Sequence, residues 1–200
     1  MLRTSAVVLA AGKSERMGAN KLLLEVAGRT ILDRLLDALD ESVVDEAFVV
    51  LGHRPEELRP LVGAHRAEAI INPDYEEGMT NSFRTGLRRV SSEAAFLVLG
   101  DQLGLKADLL EAMIERMASD PSAMIVSPVH EGRRGHPVLF GRALFPEILG
   151  MGGGETLKDV VDRHEDAHLF VGGDLWCTID LDTPEEFERV KELFEAALGA

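Results

Sequence analysis

The sequence has few cysteine, tryptophan and tyrosine residues, and it is short of basic residues relative to acidic ones. One cysteine, one tryptophan and one tyrosine occur in 200 residues. A single cysteine, Cys177, cannot form an internal disulfide, so the reducing cytoplasm is the expected compartment. Lysine and arginine number 21 against 35 aspartate and glutamate residues, a formal net charge of −14. This balance argues against a nucleic-acid-binding protein, which usually presents a basic face.

Long hydrophobic runs are also missing from the sequence. No stretch approaches the roughly 20 apolar residues that a membrane span needs. The apolar run Ala6–Ala11 near the N-terminus is shorter than the roughly 7–15 residues of a signal-peptide core. A buried strand is the better interpretation of that run, and no membrane partner is expected. With about 150 residues as a prior for one domain, residues 1–200 are expected to form a single domain.

Short apolar runs alternate with amphipathic stretches along the chain. Strands are predicted at Ala6–Ala10, Ala47–Leu51, Ala67–Ile71, Ala95–Leu99, Met124–Ser127 and Trp176–Asp180. Helices are predicted at Thr30–Asp40, at Ala107–Ala118, and after a capping box formed by Thr183 and Glu186. This alternation is typical of an α/β fold with a Rossmann-like, doubly wound, mostly parallel sheet. Residues 131–173 break the alternation and are expected to form an insertion over one end of the sheet.

The loop that directly follows the first predicted strand is the strongest chemical motif. It has small residues and cations, and ligands of open α/β sheets bind beyond the carboxyl ends of the strands. Its groups suited to phosphate oxygens are the backbone of Gly12 and Gly18, the Ser14 hydroxyl, and the side chains of Arg16 and Lys21. Val7 stands where a Walker P-loop needs a glycine, so that motif is excluded. A solvated loop with scattered charges remains the alternative.

Two further motifs follow predicted strands. Asn72–Leu87 opens a helix in which Thr80, Asn81 and Ser82 are candidates for an N-terminal turn, where a polar or anionic ligand is favoured. The alternative is simple helix capping. Asp101 lies just past the strand Ala95–Leu99, where a carboxylate suits Mg²⁺ or caps the next helix.

Residues 9–21 follow the pattern Leu-x-Ala-Gly-x-Ser-x-Arg-Met-Gly-x-x-Lys. This pattern resembles the signature loop of the molybdopterin nucleotidyltransferases, which contain an NTP-transferase domain. Within that family the chain is most similar to the molybdenum cofactor cytidylyltransferases. The resemblance implies Mg²⁺-dependent transfer of CMP from CTP to molybdopterin with release of pyrophosphate. The partners it implies are a nucleotide, a small-molecule acceptor, and a molybdoenzyme or its maturation chaperone.

The resemblance also implies roles for individual residues. The catalytic residues would be Arg16, Lys21 and Asp101, and the metal ligands Asp101 and Asp180. The nucleotide would bind Leu9, Ala10, Ala11, Gly12, Ser14, Gly18, Lys21, Gly78 and Ser82, with Gly78 and Ser82 against the cytosine. Ala11 also indicates cytosine, because guanylyl-transferring relatives tend to have glycine at that position. The acceptor would bind Arg133, Arg134 and His136. Leu103 departs from the family, which has proline at that position after its metal-binding aspartate.

Three other functions stay open at this point. The chain could use GTP or another nucleotide, or act on a different phosphorylated acceptor. It could also be a non-catalytic or repurposed member of the fold, such as a binding protein or an oxidoreductase, and Leu103 keeps this alternative open. Finally, the segment His164–His168 matches H-E-x-x-H, the zinc protease motif. We expect that match to be fortuitous, because residues 167–172 are predicted to form a strand.

Overall fold

Short β-branched and apolar runs form the strands, and amphipathic stretches form the helices. The computed structural model describes residues 2–199. Its strands are β1 (Thr4–Ala10), β2 (Glu25–Val26), β3 (Arg29–Thr30), β4 (Glu46–Leu51), β5 (Ala67–Ile71), β6 (Ala94–Leu99), β7 (Ile125–His130), β8 (Arg133–Arg134), β9 (Val138–Gly141) and β10 (His168–Gly172). Its helices are α1 (Ile31–Asp40), α2 (Pro55–Val62), α3 (Met79–Leu87), α4 (Ala107–Ala118), α5 (Phe145–Gly150), α6 (Leu157–Arg163) and α7 (Pro184–Leu198). Within this range, no helix combines the length and apolar character needed to cross a membrane.

Eight strands form the main sheet, in the order β10-β7-β9-β6-β1-β4-β5 with β8 paired to β7. The central strand β1 is parallel to β4 and β6, and its Val7 lies opposite Phe48 and Leu97. Strand β9 runs antiparallel to its neighbours β6 and β7. The sheet is therefore mostly parallel, and the predicted α/β fold class is confirmed. Strands β1, β4 and β6 end at one edge, where ligands bind in such sheets.

Strand β1 is buried on both faces, which explains its nearly continuous apolar sequence. On one face, Ala6 and Val8 belong to a core shared with α1, α2 and α4. On the other face, Val7 packs in a second core with Phe83 of α3 and Ile148 of α5. Successive side chains of a strand point to opposite faces, so helices must cover both. Each large side chain that is fully buried contributes about 1.5–3 kcal/mol.

A third, smaller core fastens the C-terminal helix beside the edge where β1 and β6 end. It contains Val26 of the β2–β3 hairpin together with Leu181 and Phe187. The predicted capping box is confirmed: the Thr183 hydroxyl accepts from the Glu186 amide, and the Glu186 carboxylate accepts from the Thr183 amide at 3.0 Å. This cap fixes the residues that directly precede α7.

One of the predicted strands is wrong. The segment Trp176–Asp180 contains no strand, and Leu175–Cys177 form a short 3-10 turn instead. The reason is local, since the Asp174 carboxylate accepts a hydrogen bond from the Trp176 amide at 3.1 Å and caps that turn. Trp176 and Cys177 pack against neighbouring loops and not within a sheet. Their apolar character therefore gives the same hydropathy pattern as a buried strand.

Residues 131–173 contribute to the sheet itself. They supply the reversed strand β9 and the edge strand β10, as well as β8, α5 and α6. Strand β9 inserts between β6 and β7, and α5 and α6 cover the face that carries Val7. The segment is therefore partly structural, and its strand Arg133–Arg134 pairs with the end of β7.

Candidate active site

A cleft of about 360 Å³ opens at the carboxyl edge of β1 and β6. Its walls come from the end of β1, the loop that follows, the turn before α3, and the turns after β6 and before α7. The lining residues are Leu9, Ala10, Ala11, Gly12, Ser14, Lys21, Leu22, Tyr75, Gly78, Met79, Ser82, Leu99, Asp101, Asp180 and Asp182. Most of the residues predicted to bind nucleotide and metal are thus brought together by the fold.

The loop after β1 forms a second, more open cavity of about 620 Å³ next to the first. Ser14 and Gly18 both adopt positive φ, at 52° and 68°, and flank a 3-10 turn over Glu15–Met17. The Ser14 hydroxyl accepts a hydrogen bond from the Lys21 amide at 3.3 Å, so its own proton is free for an anion. Arg16 lines this cavity, whereas Gly18 lines neither and acts by closing the turn.

The cations of the loop are held by two acidic residues. The Lys21 ammonium pairs with Asp101 and lies 3.0 Å from Asp182. The Arg16 guanidinium lies 2.6 Å from the other oxygen of Asp182. Burial opposes the charged form of Lys21, but the two carboxylates outweigh it and raise the pKa of Lys21. The hydrogen bond from Lys21, followed by the effect of Arg16, lowers the pKa of Asp182. The Lys21 ammonium and the Asp182 carboxylate are therefore both charged at neutral pH.

Asp182 is the main residue whose role the sequence analysis missed. Its position just before the capping box of α7 indicates by itself only a structural role. Its amide does donate to Glu186 at 3.0 Å, but its carboxylate bridges Arg16 and Lys21. Tyr75 and Met79, which also line the cleft, lie inside the segment Asn72–Leu87 that the sequence already singled out.

A second ion pair closes over the mouth of the cleft. The Lys13 ammonium lies 2.5 Å from Glu76 and 6.0 Å from the centre of the Tyr75 ring. The hydrogen bond to Glu76 raises the pKa of Lys13 and lowers that of Glu76. Both side chains are exposed, so the pair contributes little to stability. It links the loop after β1 to the turn before α3 across the entrance.

The turn after β6 holds Asp101 at the edge of the cleft. The Gly100 amide donates to Leu9 of β1 at 3.0 Å, which ties the turn to the neighbouring strand. The Leu103 amide donates to the Asp101 carbonyl at 2.8 Å, a bond that a proline could not make. Leu103 is 2% exposed and packs in the third core with Leu181 and Phe187. Leu103 therefore closes this turn with its amide and adds a buried side chain to the third core.

Two predicted metal ligands, Asp101 and Asp180, line the same cleft. Asp180 lies in an irregular segment before α7 and not at the end of a strand, because the strand predicted there does not form. Two carboxylates suit a hard cation such as Mg²⁺, which is commonly bound by one or two carboxylates plus phosphate oxygens and waters. Residues 2–199 contain no group of three or more His, Cys, Asp or Glu placed to hold a metal. The donor set therefore fits a cation whose coordination is completed by substrate.

His136 lies close to both acidic residues. Burial lowers the pKa of His136, against the opposing charges of Asp101 and Asp180. Its amide donates to the Cys177 carbonyl at 2.8 Å, and its carbonyl accepts from Gln102 at 2.6 Å. Its Nδ1 atom is buried and bonds to no atom of the chain as described. These two contacts hold the backbone of His136 between Cys177 and Gln102.

The two arginines predicted to bind the acceptor lie on the neighbouring hairpin. Arg133 and Arg134 form β8 and pair with His130 and Val129 of β7. Arg134 is bound by Glu165, with one nitrogen–oxygen distance of 3.0 Å, and its guanidinium lies 5.0 Å from the Phe170 ring. Both arginines are exposed. Their contact with an acceptor stays a prediction.

The H-E-x-x-H segment does not form a zinc site. His164 ends α6 and bonds to Glu147 at 2.7 Å, whereas His168 begins β10 and bonds to Ser127 at 2.9 Å. The two imidazoles therefore do not share one helical face. Burial, helped by the charge of Arg134, lowers the pKa of His168 to about 4. The expectation that the match is fortuitous is confirmed.

Comparison with known proteins gives the chain its relatives. The molybdenum cofactor cytidylyltransferase of Escherichia coli (strain K12) is 27% identical over 196 residues, covering 97% of this chain and 98% of that protein. A probable molybdenum cofactor guanylyltransferase of Methanosarcina acetivorans is 32% identical, covering 93% and 89%. The crystal structure of Rv0371c from Mycobacterium tuberculosis H37Rv superposes with a TM-score of 0.83 at 25% identity, covering 96% and 98%. A manganese complex of Rv0371c gives a TM-score of 0.79.

The fold and the cleft, taken with these relatives, define the class of protein as an α/β nucleotidyltransferase. More particularly, the chain belongs to the family described as the MobA-like NTP transferase domain, which matches residues 6–168. Proteins of this fold commonly use a divalent metal, as the manganese complex of the mycobacterial relative illustrates. Both cytidylyl- and guanylyltransferases are among the relatives, so family membership alone leaves the base open.

Proposed function

We propose that this protein transfers CMP from CTP to a phosphorylated small-molecule acceptor, molybdopterin, and releases pyrophosphate. The observation that carries the proposal is that Lys21, Asp101 and Asp180 line one cleft, while Arg16 lines the cavity that adjoins it. Such a cleft suits a triphosphate, because guanidinium and ammonium groups bind phosphate oxygens and carboxylates bind a divalent cation.

The proposed reaction is an in-line displacement at the α-phosphorus. An oxygen of the acceptor phosphate forms a new bond to that phosphorus, and the bond to the bridging oxygen of pyrophosphate breaks with its electron pair. The acceptor is already anionic, so no strong general base is needed. Arg16, Lys21 and the backbone amides of Gly12 and Ser14 hold the triphosphate in line. Mg²⁺ bound by Asp101 and Asp180 would supply charge neutralisation on the α-phosphate and the leaving group.

The choice of cytosine rests on the walls of the cleft and on the E. coli relative. Ala10, Ala11, Gly78 and Ser82 all line the cleft. Gly78 has φ 101° and ψ −173°, a conformation essentially limited to glycine, so the backbone approaches the ligand without a side chain between them. Small, partly apolar walls of this kind suit the flat face of a nucleobase.

The choice of acceptor rests on the relatives and on the position of His136. Its imidazole is within electrostatic reach of Asp101 and Asp180, the proposed metal ligands. Arg133 and Arg134, on the hairpin before it, would attract the acceptor phosphate. A molybdoenzyme, or the chaperone that matures it, would then receive the finished cofactor.

The experiment is a pyrophosphate-release assay with purified protein, molybdopterin and each of CTP and GTP, with and without Mg²⁺. The proposal predicts release with CTP and Mg²⁺ that is at least about tenfold faster than with GTP, the effect of about one hydrogen bond to the base, and formation of the CMP-linked cofactor by mass spectrometry. Absence of pyrophosphate release with any nucleotide would contradict the transferase proposal and favour a binding or repurposed role.

Guanylyl transfer is the second candidate, and one observation favours it. The Methanosarcina relative that is described as a probable guanylyltransferase is 32% identical, a higher value than the 27% of the cytidylyltransferase. Faster release with GTP than with CTP in the same assay would establish it in place of cytidylyl transfer.

A further inference from the structure

A buried series of hydrogen bonds leads to Ser82, one of the residues proposed to contact the nucleobase. It begins at Asn72, which follows β5 and is 2% exposed, and reaches Ser82 of α3, which is 3% exposed and lines the cleft. The Asn72 side-chain amide donates to Ser82 at 3.1 Å and to Asn81 at 2.9 Å. The proposed function assigns Ser82 to the base but gives Asn72 no role.

The direction of this series is fixed at both ends. At one end, the backbone amide of Asp74, which can only donate, bonds to the Asn72 side-chain oxygen at 3.1 Å. At the other end, the Glu77 carboxylate, which only accepts, takes a hydrogen bond from the Asn81 side chain at 2.7 Å. Both ends require the Asn72 nitrogen, and not its oxygen, to face Ser82.

The consequence falls on the Ser82 hydroxyl. A hydroxyl has one proton and two lone pairs, and Asn72 occupies a lone pair. Among residues 2–199, no protein atom takes the Ser82 proton. The backbone of Asn72 is itself held, since its amide donates to Leu51 at 2.8 Å. The Ser82 hydroxyl therefore keeps its proton and one lone pair for the cleft, and the hydrogen bond that it accepts from Asn72 makes it a stronger donor.

We propose that Asn72 is a positioning residue that favours Ser82 as a hydrogen-bond donor toward the nucleobase. The inference rests on the proposed nucleotide site and extends it to the choice between pyrimidines. A donor at this point favours a ring nitrogen without hydrogen, as in cytosine at N3. It disfavours uracil, which has the same shape but carries a hydrogen on N3. The amide of Asn72 thus selects cytosine without touching it.

The discriminating variant is Asn72→Asp, which exchanges one NH₂ group for an oxygen. The new carboxylate still accepts from the Asp74 amide, but toward Ser82 it can only accept. The Ser82 hydroxyl then donates to that carboxylate and presents lone pairs to the base. CTP and UTP carry the same triphosphate, so the ratio of their affinities is unaffected by the added negative charge. Ser82→Ala, which removes the hydroxyl, is the matched comparison.

The measurement is calorimetric titration of CTP and UTP into the wild type and both variants, with circular dichroism to confirm folding. The wild type is expected to prefer CTP by about tenfold or more, the effect of one hydrogen bond gained or opposed. The ratio should fall to about one in Ser82→Ala and below one in Asn72→Asp, because the donor is removed in the first and reversed in the second. If Asn72→Asp does not fold, Asn72→Ala should still lower the ratio, because its Ser82 hydroxyl can rotate.

The contradicting outcomes are distinct. A wild type that binds CTP and UTP equally would overturn the inference and leave the nucleotide site intact. A wild-type ratio retained in Asn72→Asp would show that Ser82 does not take its orientation from Asn72. A wild type that binds no nucleotide at all would contradict the proposed function, and the inference with it.

Discussion

Arg16 and Asp182 are separated by 166 positions in the sequence, yet the guanidinium and the carboxylate are 2.6 Å apart. Asp182 also accepts a hydrogen bond from Lys21 at 3.0 Å. The Asp182 carboxylate thus forms ion pairs with the two cations that would bind the proposed triphosphate. Phosphate oxygens must compete with Asp182 for Arg16, and this competition sets how tightly the loop binds an anion without metal.

Replacing Asp182 by asparagine tests this competition. We expect Asp182→Asn to bind metal-free pyrophosphate about 3- to 10-fold more tightly than the wild type, since each released pair is worth up to about 1 kcal/mol. Isothermal titration at low salt measures the change. Asp174→Asn is the matched control, because Asp174 pairs with Lys106 at 2.6 Å in a different cavity. Equal or weaker binding by Asp182→Asn would show that Asp182 only organises the loop.

Asp101 is expected to act in the reaction and not in folding. Its side chain is 18% exposed at the edge of the cleft and pairs with Lys21. We expect Asp101→Asn to lower turnover by about 10²–10³-fold, the usual loss of one electrostatic stabiliser, with little change in melting temperature. Steady-state pyrophosphate release and a thermal melt measure the two effects. Near-normal turnover in a folded sample would remove Asp101 from the site.

Leu103 is expected to stabilise the turn that carries Asp101. Leu103→Pro deletes the amide that bonds to the Asp101 carbonyl and replaces a buried leucine. We expect a loss of about 2–5 kcal/mol in the free energy of unfolding, as for large-to-small core substitutions. Urea denaturation measures it, and Leu103→Met, which keeps the amide and the volume, should lose less than about 1.5 kcal/mol. A Leu103→Pro protein as stable as the wild type would contradict the account of this turn.

His65 gives the fold a pH dependence far from the cleft. Its imidazole lies 3.1 Å from Asp33 and 2.9 Å from Asp40, with Asp37 at 3.9 Å, all on α1. The neighbouring Arg66 pairs with the same Asp40 at 3.6 Å. Burial opposes the imidazolium, but the hydrogen bonds to Asp33 and Asp40 outweigh it and raise the pKa of His65.

A raised folded-state pKa means that the ion pairs of His65 stabilise the protein when the imidazole is charged. The contribution is fully present below the unfolded pKa of about 6.5 and is lost as the pH rises through the higher folded value. We expect His65→Gln to destabilise the protein by about 1.5–3 kcal/mol at about pH 5.5, from hydrogen bonds to charged groups, and by less at about pH 9, because the imidazole loses its charge as the pH rises. Urea denaturation at both pH values measures this. A cost that is equal at both would contradict the stabilising role of these ion pairs.

Much of the fold could be predicted from residue patterns, and the exceptions have physical reasons. Helix α1 and the capping box of α7 depend on local spacing, which the sequence displays directly. The strand predicted at Trp176–Asp180 fails because apolar residues there are buried by loops, and hydropathy does not distinguish the two environments. The reversed strand β9 also depends on long-range pairing that no local pattern specifies.

The site could be predicted where its residues follow strands in sequence and not where they meet only in space. Ser14, Lys21 and Ser82 belong to segments whose composition points to a ligand, and the fold places them in one cleft. The bridging role of Asp182 arises from contacts across 161 and 166 positions. The orientation of Ser82 by Asn72 depends on a hydrogen-bond direction, which only a structure displays.

The most direct test is a titration of the metal-stripped protein with CTP, GTP, ATP and UTP, each with and without Mg²⁺. The account predicts tight binding of CTP that requires Mg²⁺ and exceeds the binding of the other three by about tenfold or more, the effect of about one hydrogen bond to the base. A preference for GTP or ATP would keep the transferase and contradict the choice of cytosine. No binding of any nucleotide would contradict the assignment of the cleft as an active nucleotidyltransferase site.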